Sequence, residues 1–113
     1  SGDLLTASGP GCVNEIQYTA LLMMIARHCG YYPGVFTHFV ANEQIYDRHI
    51  IQANGMLKRY RKGHIDEIHA PLGERIGFIL NHEKTDFYDI SVDDFWMINY
   101  EPMKPQLKLD LGI

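Results

Sequence analysis

Between Ala20 and Ala26 the chain carries no polar side chain, and that run limits the architectures open to it. A helix through these residues has no solvent face, so it belongs in an interior rather than on a surface. The flanking residues supply its ends. Asn14 is a competent N-cap, and Gln17 three positions later completes a capping box in which each side chain serves the other's free backbone N–H. Gly30 supplies the stop. A buried strand also tolerates such a run, but Ile25 is its only β-branched residue and the caps belong to a helix. Residues 13–29 are therefore expected to form a buried central helix.

A chain of 113 residues is one domain with room for a real core. Its net charge of −4 leaves no basic footprint, which argues against a sequence-independent nucleic-acid binder; any nucleotide bound is expected to be small. Cys12 and Cys29 form no C-x-x-C pattern, there is no signal peptide, and no apolar run approaches the roughly 18 residues of a membrane span. A cytoplasmic, reduced protein without membrane or nucleic-acid partners is expected. Ser1-Gly-Asp lacks an initiator methionine and does not read as a leader, so further chain is expected to precede it.

Residues 1–12 pair Leu4-Leu5 with a glycine-rich turn into the helix. Such a turn serves either as an anion site, through free N–H groups and the helix dipole, or as a simple connection. The Lys-Ser/Thr of a phosphate loop is missing. Cys12 likewise has two readings: a thiol acidified by the helix N-terminus, or a half-buried structural cysteine. After the Pro33-Gly34 turn, residues 35–41 read as a strand that delivers the polar cluster 42–49, a place for ligand contacts. A second helix is expected over residues 47–60, with Ile50, Ile51, Met56 and Leu57 as its buried side and Gly55 as a weak point.

Residues 61–74 read as a surface loop. His64 and His69 flank Asp66 and Glu67 there, but two histidines five apart do not share a helix face and no third ligand is close, so no metal is expected. Residues 75–80 read as a strand, 81–85 as a turn, Ser91–Asp94 as one capped helical turn and 95–100 as a strand. Pro102 and Pro105 break it before a final alternating strand, 107–111. Asp86, Asp89, Asp93 and Asp94 read as solvated loop charges.

Several of these pieces fall in a familiar order: Ser1-x-Asp3, Asn14-x-x-x-Tyr18-x-x-Leu21-Leu22, Gln44-Ile45-Tyr46, Asp89-x-x-x-x-Asp94-Phe95, Tyr100-Glu101-Pro102 and an apolar C-terminus. Together they resemble the C-terminal half of the thymidylate synthases, with residues 1–113 forming the C-terminal portion of a single domain. The resemblance implies an α/β (α+β) fold in which a large twisted sheet and a buried helix hold a nucleotide cleft, and the back of the sheet packs against a second subunit in a homodimer. The implied activity is transfer and reduction of a one-carbon unit from 5,10-methylenetetrahydrofolate to C5 of dUMP, giving dTMP and dihydrofolate without a metal.

The resemblance also implies roles for particular residues. The dUMP contacts would be Ser1 at the 5′-phosphate with Gly2 beside it, Asp3, Asn14 at the O4 and N3 edge, and Gln44 with Tyr46 at the 3′-hydroxyl. Asp3 would orient the folate, and Gly112 and Ile113 would close over it. Two departures stand out: Gln44 replaces the histidine of most members, and residues 7–12 are a local insertion that contains Cys12. The family's nucleophilic cysteine, catalytic glutamate and phosphate-binding arginines lie upstream of Ser1. Neither Cys12 nor Cys29 takes the nucleophile's place, so the chain by itself is expected to be inactive. The alternatives are a deoxycytidylate hydroxymethylase of the same fold, which usually carries aspartate where Asn14 stands, and a noncatalytic dimerisation or binding module.

Overall fold

A computed structural model describes residues 2–9, 12–63 and 72–110. It is a mixture of helix and sheet. The chain divides into two compact units: Ser1–Ile16 with His38–Asp66 and Pro102–Ile113, and Gln17–Thr37 with Glu67–Glu101. The expected long helix is α1, Val13–His28. It starts one residue before Asn14, so Asn14 is not its cap but part of its first turn. The Asn14 backbone N–H donates to the Ala7 carbonyl at 2.9 Å and that of Ile16 to Cys12 at 3.2 Å. A preceding turn thus supplies a carbonyl that the helix end would otherwise take from a side chain.

The other end follows expectation. Gly30 sits at φ +77°, its N–H donates to Arg27 at 3.2 Å, and the Tyr31 N–H reaches back to Ala26 at 2.8 Å. This is a Schellman stop, which glycine adopts without a Cβ clash. The expected burial is not met: no residue of α1 is buried, and Val13 remains 67 % exposed and Ile25 48 %. A helix that is apolar on every side needs cover on every side, and the described residues supply only part of it.

In the first unit, β1 (Gly2–Asp3) pairs in parallel with β2 (Glu43–Gln44). The strand expected over residues 35–41 does not form; Val35 is 93 % and Phe39 87 % exposed. Its composition suits a strand, but a strand exists only against a hydrogen-bonding neighbour, and pairing begins at Glu43. A 3-10 turn, Asp47–His49, leads into α2, Ile50–Gly63, which begins and ends three residues later than the sequence suggests. The side named as buried is turned out: Ile50, Ile51, Met56 and Leu57 are all exposed, Ile51 by 82 %. His49 of the 3-10 turn and Gln52 and Arg59 of α2 instead donate to backbone carbonyls of the segment 103–110. That segment is irregular rather than the expected strand, because side chains of α2, not a neighbouring strand, take up its carbonyls.

In the second unit, the strands expected over residues 75–80 and 95–100 form as β3 (Gly77–Leu80) and β4 (Phe95–Ile98), and the structure pairs them antiparallel, in register from Gly77 opposite Ile98 to Leu80 opposite Phe95. Phe78 and Phe95 stack at 5.3 Å, and Leu80 is the one buried large apolar side chain among the described residues. Arg27 near the end of α1 donates to the carbonyls of Asn81 at 2.7 Å and Lys84 at 2.8 Å, which ties the helix to the turn after β3. The expected capped turn Val92–Asp94 forms with Ser91 as its cap. Asp94 departs from the solvated reading: it is buried and accepts the Ser91 N–H at 2.8 Å and the Asn81 amide at 3.2 Å. Asn99, at φ 55°, closes the open end by donating to Gly73 and Arg75, each at 2.9 Å.

Two measurements check these assignments. A Cβ at Gly55 meets only Leu107, at 3.9 Å, which is ordinary contact. Gly55→Ala should therefore gain up to about 1 kcal/mol from helix propensity, whereas Gly30→Ala should lose about 1 kcal/mol at its left-handed position, both read from chemical denaturation midpoints. The Ser91 backbone N–H, aided by the Asn81 amide and the charge of Lys84, holds the Asp94 carboxyl below the ordinary carboxylate range. Its contribution to stability is thus present above the unfolded value and is lost as pH falls through the lower folded one. Asp94→Asn should flatten the acid side of the stability profile below about pH 4; an unchanged profile would count against this role.

Candidate functional site

Asp3 is the most heavily bonded of the candidate nucleotide and folate contacts. Its carboxylate accepts the Leu5 N–H at 3.2 Å and the Thr6 hydroxyl, and its carbonyl accepts the N–H groups of Ala7 at 3.1 Å and Ser8 at 2.9 Å. Asp3 thereby folds the chain into a turn of its own making, a usual function for a short acidic side chain. The turn leans on β2: Gly2 N–H donates to Asn42 and Leu4 N–H to Gln44, both at 2.8 Å. Ser8, itself buried, donates its hydroxyl to Glu43 at 2.7 Å. A Cβ on Gly2 would collide with the Ser8 side chain, so the glycine is what lets the two segments close.

This framework brings several candidates together. Register places Asp3 opposite Gln44. Tyr46 follows two residues later, half-exposed, with its ring edge-on to His49 at 5.8 Å. Asn14 is linked to Asp3 through backbone bonds, since Ala7 donates to Asp3 and accepts from Asn14. The Asn14 side chain is half-buried, and its amide makes no hydrogen bond among the described residues. The backbone does the capping, which leaves that amide with both donor and acceptor to offer. Ser1, Gly112 and Ile113 lie outside the described residues, as do Pro10 and Gly11 of the glycine-rich turn and His64 and His69 of the charged loop.

Leu4 and Ile45, which follow Asp3 and Gln44, line an apolar cavity of about 380 Å³ together with Leu5, Cys12, Ala53, Met56, Leu57 and Tyr60. Met56 and Leu57 thus border an open hollow rather than a packed core. Burial at this wall pushes the Cys12 thiol above its ordinary value, and the carboxylates of Glu15, Asp3 and Glu43 push the same way, against a backbone hydrogen bond from Gly9. Sγ rests on the Leu4 carbonyl at 3.4 Å. Desolvation and the neighbouring carboxylates therefore favour the half-buried structural reading of Cys12 over the acidified-thiol one.

His49 was visible in the sequence only as one member of a polar cluster. It is 1 % exposed, and nothing in a polar neighbourhood announces such burial. The Ser8–Glu43 bond was equally hidden, since it joins residues 35 positions apart.

With this geometry in place, the comparisons with known proteins are specific. The family model described as thymidylate synthase matches residues 1–113, and the chain belongs to the thymidylate synthase family. It is 42 % identical over its whole length to proteins named thymidylate synthase from Streptococcus pyogenes serotype M3 and Streptococcus mutans serotype c, and equally to one from Streptococcus agalactiae serotype Ia. The chain spans 36 % of the length of each of these relatives. No solved structure matches it. No helix among the described residues is long and apolar enough to cross a membrane.

The two cysteines should differ toward an alkylating reagent. Cys29 is exposed, whereas Cys12 is half-buried with a raised thiol pKa, so brief iodoacetamide treatment followed by peptide mass spectrometry should label Cys29 first. Faster labelling of Cys12 would restore the acidified-thiol reading.

Proposed function

We propose that residues 1–113 are the C-terminal portion of a single thymidylate synthase domain. In this reading the whole protein converts dUMP to dTMP with 5,10-methylenetetrahydrofolate as co-substrate and no metal. The observation that carries it is the family match along the entire chain, and the unspent amide of Asn14 beside the Asp3 turn supports it. The finer architecture belongs to the same proposal: a large twisted sheet, with the apolar flanks of α1 covered by the rest of the domain, and a homodimer formed through the back of the sheet. A cytoplasmic location goes with it.

The reaction makes C5 of uracil nucleophilic after a cysteine thiolate attacks C6, and negative charge then moves toward O4. Groups at the O4 and N3 edge must be in place beforehand. Asn14 offers one donor and one acceptor to that edge, a pattern that suits uracil and opposes the amino group of cytosine. Tyr46 and Gln44 would hold the 3′-hydroxyl, with Gln44 able to donate although it cannot protonate as histidine does. Ser1 and Gly2 would meet the phosphate. Asp3 fits a pterin, because Leu5 and Thr6 hold its carboxylate in one orientation while leaving lone pairs for ring N–H groups. The folate supplies the one-carbon unit and the reducing equivalents. Gly112 and Ile113 would close over it and shut out water.

The nucleophile is then a cysteine upstream of Ser1, and the exposed Cys29 and half-buried Cys12 have no part in the chemistry. Mixing dUMP and methylenetetrahydrofolate with the longer protein should raise dihydrofolate absorbance, while residues 1–113 alone should give none; turnover by the short chain would refute the assignment of the nucleophile. In the longer protein Asn14→Ala should lower kcat/KM for dUMP by roughly 100-fold. Preference for dCMP over dUMP in the unaltered protein would favour the hydroxymethylase, which Asn14 argues against.

A further inference from the structure

The least exposed side chain among the described residues is His49, and the reading above gives it no role. Its ring makes two contacts that belong to different parts of the candidate site. One face of the pair is Tyr46, edge-on at 5.8 Å. The other contact is Nε2, which lies 2.7 Å from the Asp110 carbonyl. A carbonyl only accepts, so Nε2 carries the proton. Nδ1 is buried and has no partner among the described residues, so Nε2 carries the ring's one hydrogen bond among them.

His49 does not act on this segment alone. Gln52, one turn further along α2, donates to the Lys108 carbonyl at 3.0 Å. Arg59 donates to the Pro105 carbonyl at 2.7 Å and the Met103 carbonyl at 3.5 Å. Three side chains ascending from the start of α2 thus take carbonyls from Asp110 back to Met103, so the segment runs antiparallel to the helix in a set register. Every bond goes to backbone, so the grip holds whatever side chains the segment carries. Gln52 and Arg59 are only partly covered, whereas His49 is 1 % exposed and its bond is shielded.

We propose that His49 is a positioning residue that locks the C-terminal segment to Tyr46, through the Nε2–H bond to Asp110 and the edge contact with the tyrosine ring. This rests on the reading of Tyr46 as a nucleotide contact and of the C-terminus as the cover over folate. His49 touches neither ligand. It makes the placement of the tyrosine and the start of the cover one event, because the ring cannot leave one without loosening the other. A misplacement of about 1 Å at a reacting site costs on the order of 100-fold in rate, so a rigid strut at this junction matters for turnover more than for folding.

The test uses the full-length protein carrying this chain, with His49→Leu to remove the donor at similar volume and His49→Gln to keep an N–H donor. His49→Leu should lower kcat by about 10–100-fold and raise KM for methylenetetrahydrofolate at least about 5-fold, and His49→Gln should recover to within about 5-fold of the unaltered protein. Leucine and glutamine variants of equal activity would overturn the proposal. NMR reads the clamp without any turnover: His49 should show the Nε2–H tautomer, and backbone order parameters at Lys108 and Asp110 should fall from about 0.85 toward 0.6 in His49→Leu but not in His49→Gln. An Nδ1–H tautomer, or order parameters unmoved by leucine, would also overturn it. If the unaltered protein makes no dTMP while these NMR results hold, the proposed function fails and the clamp stands.

Discussion

The pairing of Gly2–Asp3 with Glu43–Gln44 is short, and most of what the first unit contains is placed through it. Two residues of parallel strand are weak on their own. Here they are reinforced by the Asp3 turn on one side and by the Ser8–Glu43 bond on the other. The turn passes its order onward, because Ala7 is fixed by Asp3 and in turn accepts the first-turn N–H of Asn14. The position of Asn14 is thereby set by a backbone path from the strand pair. That arrangement frees the asparagine side chain from structural duty, as the proposed recognition role requires.

The same economy appears along α2, where the helix spends side chains rather than a strand edge on its neighbour. His49, Gln52 and Arg59 take carbonyls of an irregular segment, and the segment's own side chains contribute little beyond Leu107 and Leu109, which are partly covered. A segment held this way keeps its register and remains removable, since a few hydrogen bonds at a mostly exposed edge cost far less to break than a packed core. The second unit is organised differently, around the β3–β4 ladder, the Phe78–Phe95 stack and buried Leu80. Arg27 reaches across to the turn there as a long side chain can, with several carbonyls for one charge.

Where the sequence was misleading, it misled in one direction. Val35 and Phe39 suggest a strand, residues 20–26 suggest an interior helix, and Ile50 and Ile51 suggest a buried face, yet all are exposed or only half-covered. In each case composition reported what the residue would gain from burial, and burial needs a partner that the described residues do not supply. Beside Leu80, the buried side chains His49, Ser8 and Asp94 are polar, and hydrophobic patterning gives no reason to choose them. Each is buried because a specific acceptor or donor from elsewhere in the chain meets it.

What the sequence determined by itself was local or collective. The helix over residues 13–28 and its glycine stop, the Ser91 cap, the β3 and β4 segments and the family itself follow from spacing, turn chemistry and the order of motifs, all of which are written along the chain. Tertiary structure alone decided that a carbonyl at Ala7 caps the first helix instead of Asn14, that the Cys12 thiol is raised rather than acidified, and that His49 joins Tyr46 to the C-terminal segment. These depend on which groups the folded chain brings together, where hydrogen bonding and desolvation act, and no periodicity records such meetings.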